Sequence, residues 1–501
     1  MSEVGVNLYD PKAGADCDQD GPPPDHVKSP SSEASRLDLE GLLPPGPPSS
    51  TDVSPSPSAE ASGLLSLPWE MLTNIASHLP AQCVIDVLPK VCHALGNVGK
   101  DSTAWQLRAN RLIGSRAGFP VGPREDFDWP SACVEMEQLI TCWTGQAHLA
   151  ARQTQEDDAE KEQVRQPQDA ALDHQEEVAE QRNLDNGRPL EMEEPQPPRS
   201  PSPPPALECI TLPSGHIAQV NSVLLMGGDG TVLATGSRDW NVKLWDLQEG
   251  SGAKLLHTLG GQGDFSTHRG WVWCLSSQGH QLASGGFDST VRLWDLQAGG
   301  AKRGLITAGA AVLCLSCQTD VLLAGTFDKR VNMYDTRAAQ PLVKSIRLHG
   351  NAVMCLAADD RYIISGSKDC TVAVYDRRAG KDLKRLQLSS YLQSMSYRGC
   401  EVWAGDNSGM LHSFSMQTGT LKAVSKFDVG HVAMITGIHR STGSLYTCSS
   451  DRTVKVHVPC NPPRTLCTQN HQAGVNGLSV EAGVLAVASG DVCVEVWRPR
   501  K

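Results

Sequence analysis

From about residue 206 to residue 501, apolar and polar positions alternate in short runs, each closed by a Gly- or Asp-bearing turn. That alternation predicts strands, not helices. The runs fall into seven similar segments. The clearest are Leu233–Asp239 (LATGSRD) followed by Asn241–Asp246 (NVKLWD), and Leu282–Asp288 (LASGGFD) followed by Thr290–Asp295 (TVRLWD). Weaker copies turn around Asp328, Asp369, Asp406, Asp451 and Asp491, with successive aspartates 37 to 49 residues apart. A unit of this length carries an apolar sheet face that it cannot bury alone. Packing several units radially covers those faces and leaves only short edges, so seven copies predict a seven-bladed all-β propeller over residues 206–501. Its last copy ends in Val494–Trp497 and lacks an outer strand.

Upstream, residues 64–112 follow a helical period instead. Pro68 and Glu70 mark a helix start, and Leu72, Ile75 and Leu79 share one apolar face. Pro80 and Pro89 are expected to divide the rest of this segment into short helices, with another at about Ala104–Ile113. The chain therefore reads as multidomain, a small all-α module before an all-β propeller. The module is too short for a generous core and would gain from a partner. Residues 113–146 read as a helical linker, in which Trp129, Met136, Leu139, Ile140 and Trp143 would pack between module and propeller.

Composition changes the picture at two places. Residues 1–63 are rich in Pro, Ser, Gly and Asp with no sustained period, and read as a disordered tail. Residues 147–205 read as an acidic, Pro-containing linker: 14 Asp or Glu face 6 Lys or Arg over 151–200, most of the chain's formal charge of −12. That acidity speaks against bulk nucleic-acid or phospholipid binding, which need basic patches. No apolar signal core opens the sequence and no apolar run is long enough to span a bilayer, so cytoplasm or nucleus is expected. Among 16 cysteines, Cys274, Cys314 and Cys355 recur at one repeat position, as small buried apolar residues would. Cys314 and Cys317 form one Cys-x-x-Cys pair on a strand, where their side chains point to opposite faces, and no second pair completes a zinc site. No cofactor or metal is called for.

The repeats resemble the WD-repeat family, in which the motif is offset from the blade; the resemblance implies that Leu207–Leu212 supplies the outer strand that the last copy lacks, closing the ring and covering an open edge. The resemblance implies a polar network inside each blade: His216, Thr235, Asp239 and Trp245 in the first, His268, Ser284, Asp288 and Trp294 in the second, and His349, Ser365 and Asp369 in the fourth, where Tyr375 replaces the tryptophan. A buried His and Asp must pair or suffer desolvation, and a constellation that recurs from blade to blade is structural, not a catalytic triad. Units 3 and 5 lack the histidine, unit 6 has His457 at the tryptophan position, and such blades are expected to lean on apolar packing. Unit 5 is the hardest to bound. The family register also implies a partner-binding face around the channel mouth. Carried onto this chain, it comprises Arg238, Phe287, Phe327, Lys368 and Ser450, with Gln219, Asn221, Trp271, Trp273, Leu313, Met354 and Asn476. With only Arg238 and Lys368 basic, that set suggests an aromatic-anchored peptide or surface epitope, not an obligatory phosphodegron.

The helical segment resembles the F-box, a module that docks on the Skp adaptor of SCF-type ubiquitin ligases. The matching residues are Leu67, Pro68, Glu70, Met71, Leu72, Ile75, Leu79, Val91 and Cys92, with Asp101 and Trp105 beyond; Leu95 stands where the family usually has tryptophan. Together the two signals resemble the F-box/WD-repeat family, whose members are non-catalytic substrate receptors. The implied partners are a Skp-type adaptor, through it a cullin–RING core, and a protein substrate. Two alternatives remain: a ligase-independent scaffold, and recruitment to the other cullin system that uses propeller receptors, which Tyr375–Arg378 (YDRR) only partly matches.

Overall fold

The computed structural model describes residues 64–114, 117–121, 127–145, 207–212, 215–248, 252–260, 267–319 and 321–500. The expected tail 1–63 and acidic linker 147–205 lie outside them. Seven four-stranded antiparallel sheets form the propeller. Blades 1 to 6 run from Val220 to Leu259, Val272 to Thr307, Val312 to Ile346, Val353 to Gln387, Leu392 to Asp428, and Ile435 to Asn470. Blade 7 takes Val475–Glu481, Val484–Ser489 and Val494–Pro499, and its outer strand is Leu207–Thr211, with Cys209 opposite Trp497. One sheet thus joins both ends of the ring and leaves no inner strand unpaired.

Burial follows position in the blade. Second strands such as Tyr362–Ser367 and Val484–Ser489 are buried throughout, because neighbouring blades cover both their faces, so they read as nearly continuous apolar runs. Outer strands such as Leu342–Ile346 are almost wholly exposed. In every blade the register between the first and second strands slips after one residue. The skipped residues are Asn221, Trp273, Leu313, Met354, Gln393, Thr436 and Asn476. Such a bulge re-aims one side chain, and all seven line the central channel.

The blade networks form with differences. In blade 1 the Trp245 indole donates to Thr235 at 2.9 Å, Thr235 meets His216 Nε2 at 2.7 Å, and His216 Nδ1 meets Asp239 at 2.8 Å. Blade 2 repeats this with Trp294, Ser284, His268 and Asp288. Burial would raise the Asp239 pKa, but bonds from His216 and from the Asn241 and Ile217 N–H groups outweigh it and hold the carboxylate low. Blade 4 is looser: His349 keeps Ser365 at 2.8 Å, but its Nδ1 meets the Thr371 hydroxyl and lies 3.6 Å from Asp369. Blade 6 builds a network from His431, Thr447 and Asp451, and His457 takes the tryptophan's bond to Thr447 at 2.9 Å. Blade 5 corrects the sequence reading. Asp406 pairs with Leu392 just as Ser237 pairs with Val220, so it precedes the turn by two residues and Ser408 holds the turn position. Asp406 is fully buried and pairs with His412 at 2.9 Å, so this blade has a polar network of its own.

The module before the propeller consists of α1 Trp69–Ser77, α2 Ala81–Asp86, α3 Leu88–Val91, α4 His93–Val98 and α5 Ser102–Ile113. Pro68 and Pro80 sit just before α1 and α2, where a fixed φ suits helix entry. Pro89 was expected to separate helices; it lies instead in the first turn of α3, where its missing N–H is no loss. Gly96 keeps α4 close to α3, since a Cβ there would come within 3.1 Å of Pro89 Cα. Asp101 caps α5 through Thr103 N–H and also accepts from the Trp69 indole, both at 2.8 Å, tying α1 to α5. Among the described residues the linker forms α6 over 129–145; before it, Gly118 makes an isolated bridge to Asn461 of blade 6. Among the described residues no helix is long and apolar enough to cross a membrane, and no His/Cys/Asp/Glu group has a metal-holding arrangement.

Candidate functional site

Among the described residues, two surfaces and the helix between them are the candidate sites. On the module, the stripe Leu72, Ile75, Leu79 does not act as one buried face. Leu72 turns inward with Ala76, while Ile75 and Leu79 remain exposed. Glu70 and Pro68 are also exposed, Leu67 is half-buried, Met71 is 50% exposed and Val91 63% exposed. Leu64, Leu65, Trp69, Ile85, Val87 and Leu107 add to this surface and were not singled out from the sequence. So dense a set of exposed apolar side chains on so small a unit has the character of a docking surface.

The helix α6 joins the module to the ring by one apolar stripe. Trp129, Ala132, Cys133 and Met136 share a core with Ala81, Val84, Trp105, Ala109 and Ile113 of the module and with Val458 and Cys460 of blade 6. Leu139 and Trp143 continue into the core of blades 6 and 7. Two carboxylates on α6 add polar clasps. Glu135 accepts from Ser441, Ser444 and the Gly443 N–H of blade 6. A Cβ on Gly443 would run into the Ala132 carbonyl oxygen, so the close approach requires glycine. Glu137 accepts from Ala81 N–H at 2.7 Å and pairs with Arg108 at 2.6 Å. Arg108 is itself buried and donates to the carbonyls of Ala76, at the end of α1, and Leu79, just beyond it. Burial pushes the Cys133 thiol beside it up to about 12, which keeps it a neutral packing group.

On the propeller, the expected face assembles mainly on blades 1 to 4. Trp271, Trp273 and Phe287 form a cluster, with ring centroids 5.5 and 5.2 Å from Phe287. Arg238 lies over Trp271 at 4.8 Å and donates from Nε to Asn221 at 3.0 Å. Phe327 is 61% exposed, Lys368 is exposed and Met354 is half-buried. Leu313, expected on this face, is buried within the channel wall. Ser450 is exposed and bonds back to Met434 O; Asn476 donates to Val220 O at 2.8 Å, and Gln219 O accepts from Arg238 N at 2.9 Å. The channel itself holds about 540 Å³. Trp240 and Ile217 of blade 1, both exposed, extend the apolar surface outward and were missed. Gln393 and Thr436 complete the bulged ring; being second in an innermost strand could have revealed them.

Comparison with known proteins accords with both parts. The family described as WD domain, G-beta repeat matches residues 207–246, 255–295 and 340–376. F-box/WD repeat-containing protein 9 of Bos taurus is 42% identical over 448 residues, covering 89% of this chain and 84% of its own length. The Homo sapiens protein of that name is 40% identical over 439 residues, covering 87% and 82%. In fold alone, the chain resembles the crystal structure of the WD40 beta propeller domain of Doa1, with a TM-score of 0.50 and 20% identity over 58% of this chain and 96% of that one.

Proposed function

Because the chain belongs to the F-box/WD repeat-containing protein 9 family, we propose that it is the substrate-recognition subunit of an SCF-type ubiquitin ligase. The helical module docks on a Skp-type adaptor, and the propeller holds the protein substrate. The cullin–RING core and a charged ubiquitin-conjugating enzyme supply the chemistry, so this chain contributes recognition and placement. The observation that carries the reading is the exposed apolar surface of Met71, Ile75, Leu79 and Val91 on a module whose other face is packed. The α6 joint supports it, since transfer to a bound substrate depends on holding two reactants in a fixed relation. Leu95, in place of the family's tryptophan, is half-buried, and its N–H still reaches Cys92 Sγ at 3.5 Å, keeping the start of α4.

Affinity capture of a Skp-type adaptor by the intact chain tests this reading. Met71→Asp and Val91→Asp alter exposed positions and are expected to abolish capture while leaving the propeller's thermal transition unchanged. A folded wild-type chain that captures no adaptor would return the protein to the scaffold reading. Capture of the other cullin's propeller-binding adaptor, lost in Arg378→Ala, would replace it with that system.

A further inference from the structure

We propose that the open face of blades 1 to 4 recognises an unphosphorylated acidic segment of a partner protein. One side-chain carboxylate sits on Arg238, and apolar side chains of the segment lie on Trp240, Trp271, Phe287 and Phe327. This names the substrate class of the face assigned above and rests on that assignment.

Arg238 is oriented before any ligand arrives. Its Nε donates to Asn221 Oδ1 at 3.0 Å, Asn221 is held in turn by its own bond to Val272 O at 3.0 Å, and the guanidinium lies over Trp271 at 4.8 Å. These contacts occupy Nε and one face of the group. The Nη edge retains the fork that a carboxylate takes with two parallel hydrogen bonds. No acidic side chain pairs with Arg238 among the described residues: the neighbouring Asp239 is committed to His216 and to the Ile217 and Asn241 N–H groups. A donor immobilised in advance loses little entropy on binding.

The surrounding face has the same bias. On blades 1 and 2 the turn carboxylates Asp239 and Asp288 are nearly buried in their networks, whereas Arg269 stands toward solvent; on blade 3 Asp328 is 40% exposed and lies 3.6 Å from Arg330, and on blade 4 Lys368 is exposed beside Asp369. Around Arg238 the acids therefore face inward, an arrangement complementary to an acidic segment. A phosphate would meet one fixed guanidinium and not a converging set, whereas one carboxylate needs only one. Trp240 points the same way. It occupies the turn site with φ of 73°, where Ser289, Lys329, Cys370 and Arg452 stand in other blades. That backbone conformation disfavours a bulky residue, and Trp240 is exposed, so it adds nothing to the core. With Ile217 at 90% exposure beside it, the apolar surface reaches from blade 1 to Phe327 of blade 3. A segment lying across the face covers that span; a chain end entering the channel would leave it bare.

The test is to pan a display library of random 12-residue segments on the full-length protein and titrate the enriched, unmodified peptides by fluorescence anisotropy. The enriched sequences are expected to place Asp or Glu close to an aromatic residue or leucine. Changing that acid to its amide should weaken binding about tenfold or more, as should Arg238→Lys, which keeps the charge and loses the fork. The two changes together should cost little more than either alone, because they remove one contact. Trp271→Ala and Phe327→Ala should weaken binding as well. The proposal is overturned if no peptide is enriched or if the enriched peptides carry no acid. It is equally overturned if binding ignores Arg238, or requires phosphoserine or a free C-terminus in the peptide. Adaptor capture on the same preparation separates the two ideas: capture without acidic-peptide binding removes only this ligand class, and acidic-peptide binding without capture upholds it while removing the ligase assignment.

Discussion

The propeller and the helical module solve the same problem in opposite ways. Each blade covers the apolar faces of its neighbours, and the Leu207–Thr211 strand closes the ring, so most of the propeller's burial comes from itself, with α6 added only at blades 6 and 7. The module buries only a small cluster of its own, leans on α6 and blade 6 for the rest, and leaves Trp69, Met71, Ile75, Val87 and Val91 in water. The difference teaches that surface and core can be altered independently on the propeller's open face. In the module they alternate along a single short helix, where Leu72 folds the unit and Met71 beside it remains for a partner.

The largest effect should come from the joint between the regions. Arg108→Met takes the cation from Glu137, which keeps only the Ala81 N–H, and removes the donor to Leu79 O; with Glu137 partly exposed the cost is about 3 kcal/mol, the low end for breaking a buried pair. Limited proteolysis should then cleave the module while the propeller resists; equal resistance of the two would break the comparison. Next, Met71→Ala and Val91→Ala should each cost about 2 kcal/mol or more in adaptor affinity, the size of an interface hot spot, with no shift in Tm. Leu72→Ala should lower stability and affinity together. Calorimetric titration alongside thermal melts distinguishes these patterns.

Inside the propeller, pH should act through His457. Burial, then the nearby His431 and Lys455, lower its pKa to about 3, below the 6.5 of a free histidine. The unfolded chain therefore binds a proton here at a pH where the folded one does not, so stability is lost as pH falls from about 6.5 toward 3. At pH 4.5 the loss is roughly 2.7 kcal/mol, and His457→Gln should flatten that part of a Tm-against-pH curve. The smallest expected change is a gain. Val487 of blade 7 occupies the register position of Thr235, and correspondingly the ring nitrogens of His471 and Trp497 Nε1 are buried without hydrogen bonds. Val487→Thr supplies the bridging hydroxyl and should raise stability by about 1 kcal/mol. An unchanged or lower Tm would show that the closing blade does not obey the logic of the others.

Period and alternation made the blade count legible, because it depends on which side chains can be buried; the closing strand needed the family's offset between motif and blade. Blade 5 was misread since an aspartate was taken as the turn marker. Asp406 lies two residues early, and Gly409, with φ of 85° at the position of Trp240, is the signal that locates the turn. Helical period identified Leu72, Ile75 and Leu79 as apolar positions. It could not say which of them this chain covers, because that depends on where α5 and α6 pack. The bulged residues Gln393 and Thr436 carry a weaker signal, their place second in an innermost strand, which strand register turns into a side chain facing the channel. Trp240 was passed over as a turn residue, although an aromatic side chain in that backbone conformation is itself a signal.

Hydrogen–deuterium exchange of the full-length chain, alone and with a saturating Skp-type adaptor, tests the central claim most directly. The expected result is slowed exchange from Leu64 through Val91 and around Leu107, with blades 1 to 4 unchanged and still able to bind ligand. Protection appearing on the propeller's open face, or none in the module, would contradict the assignment of one surface to the ligase and the other to its substrate.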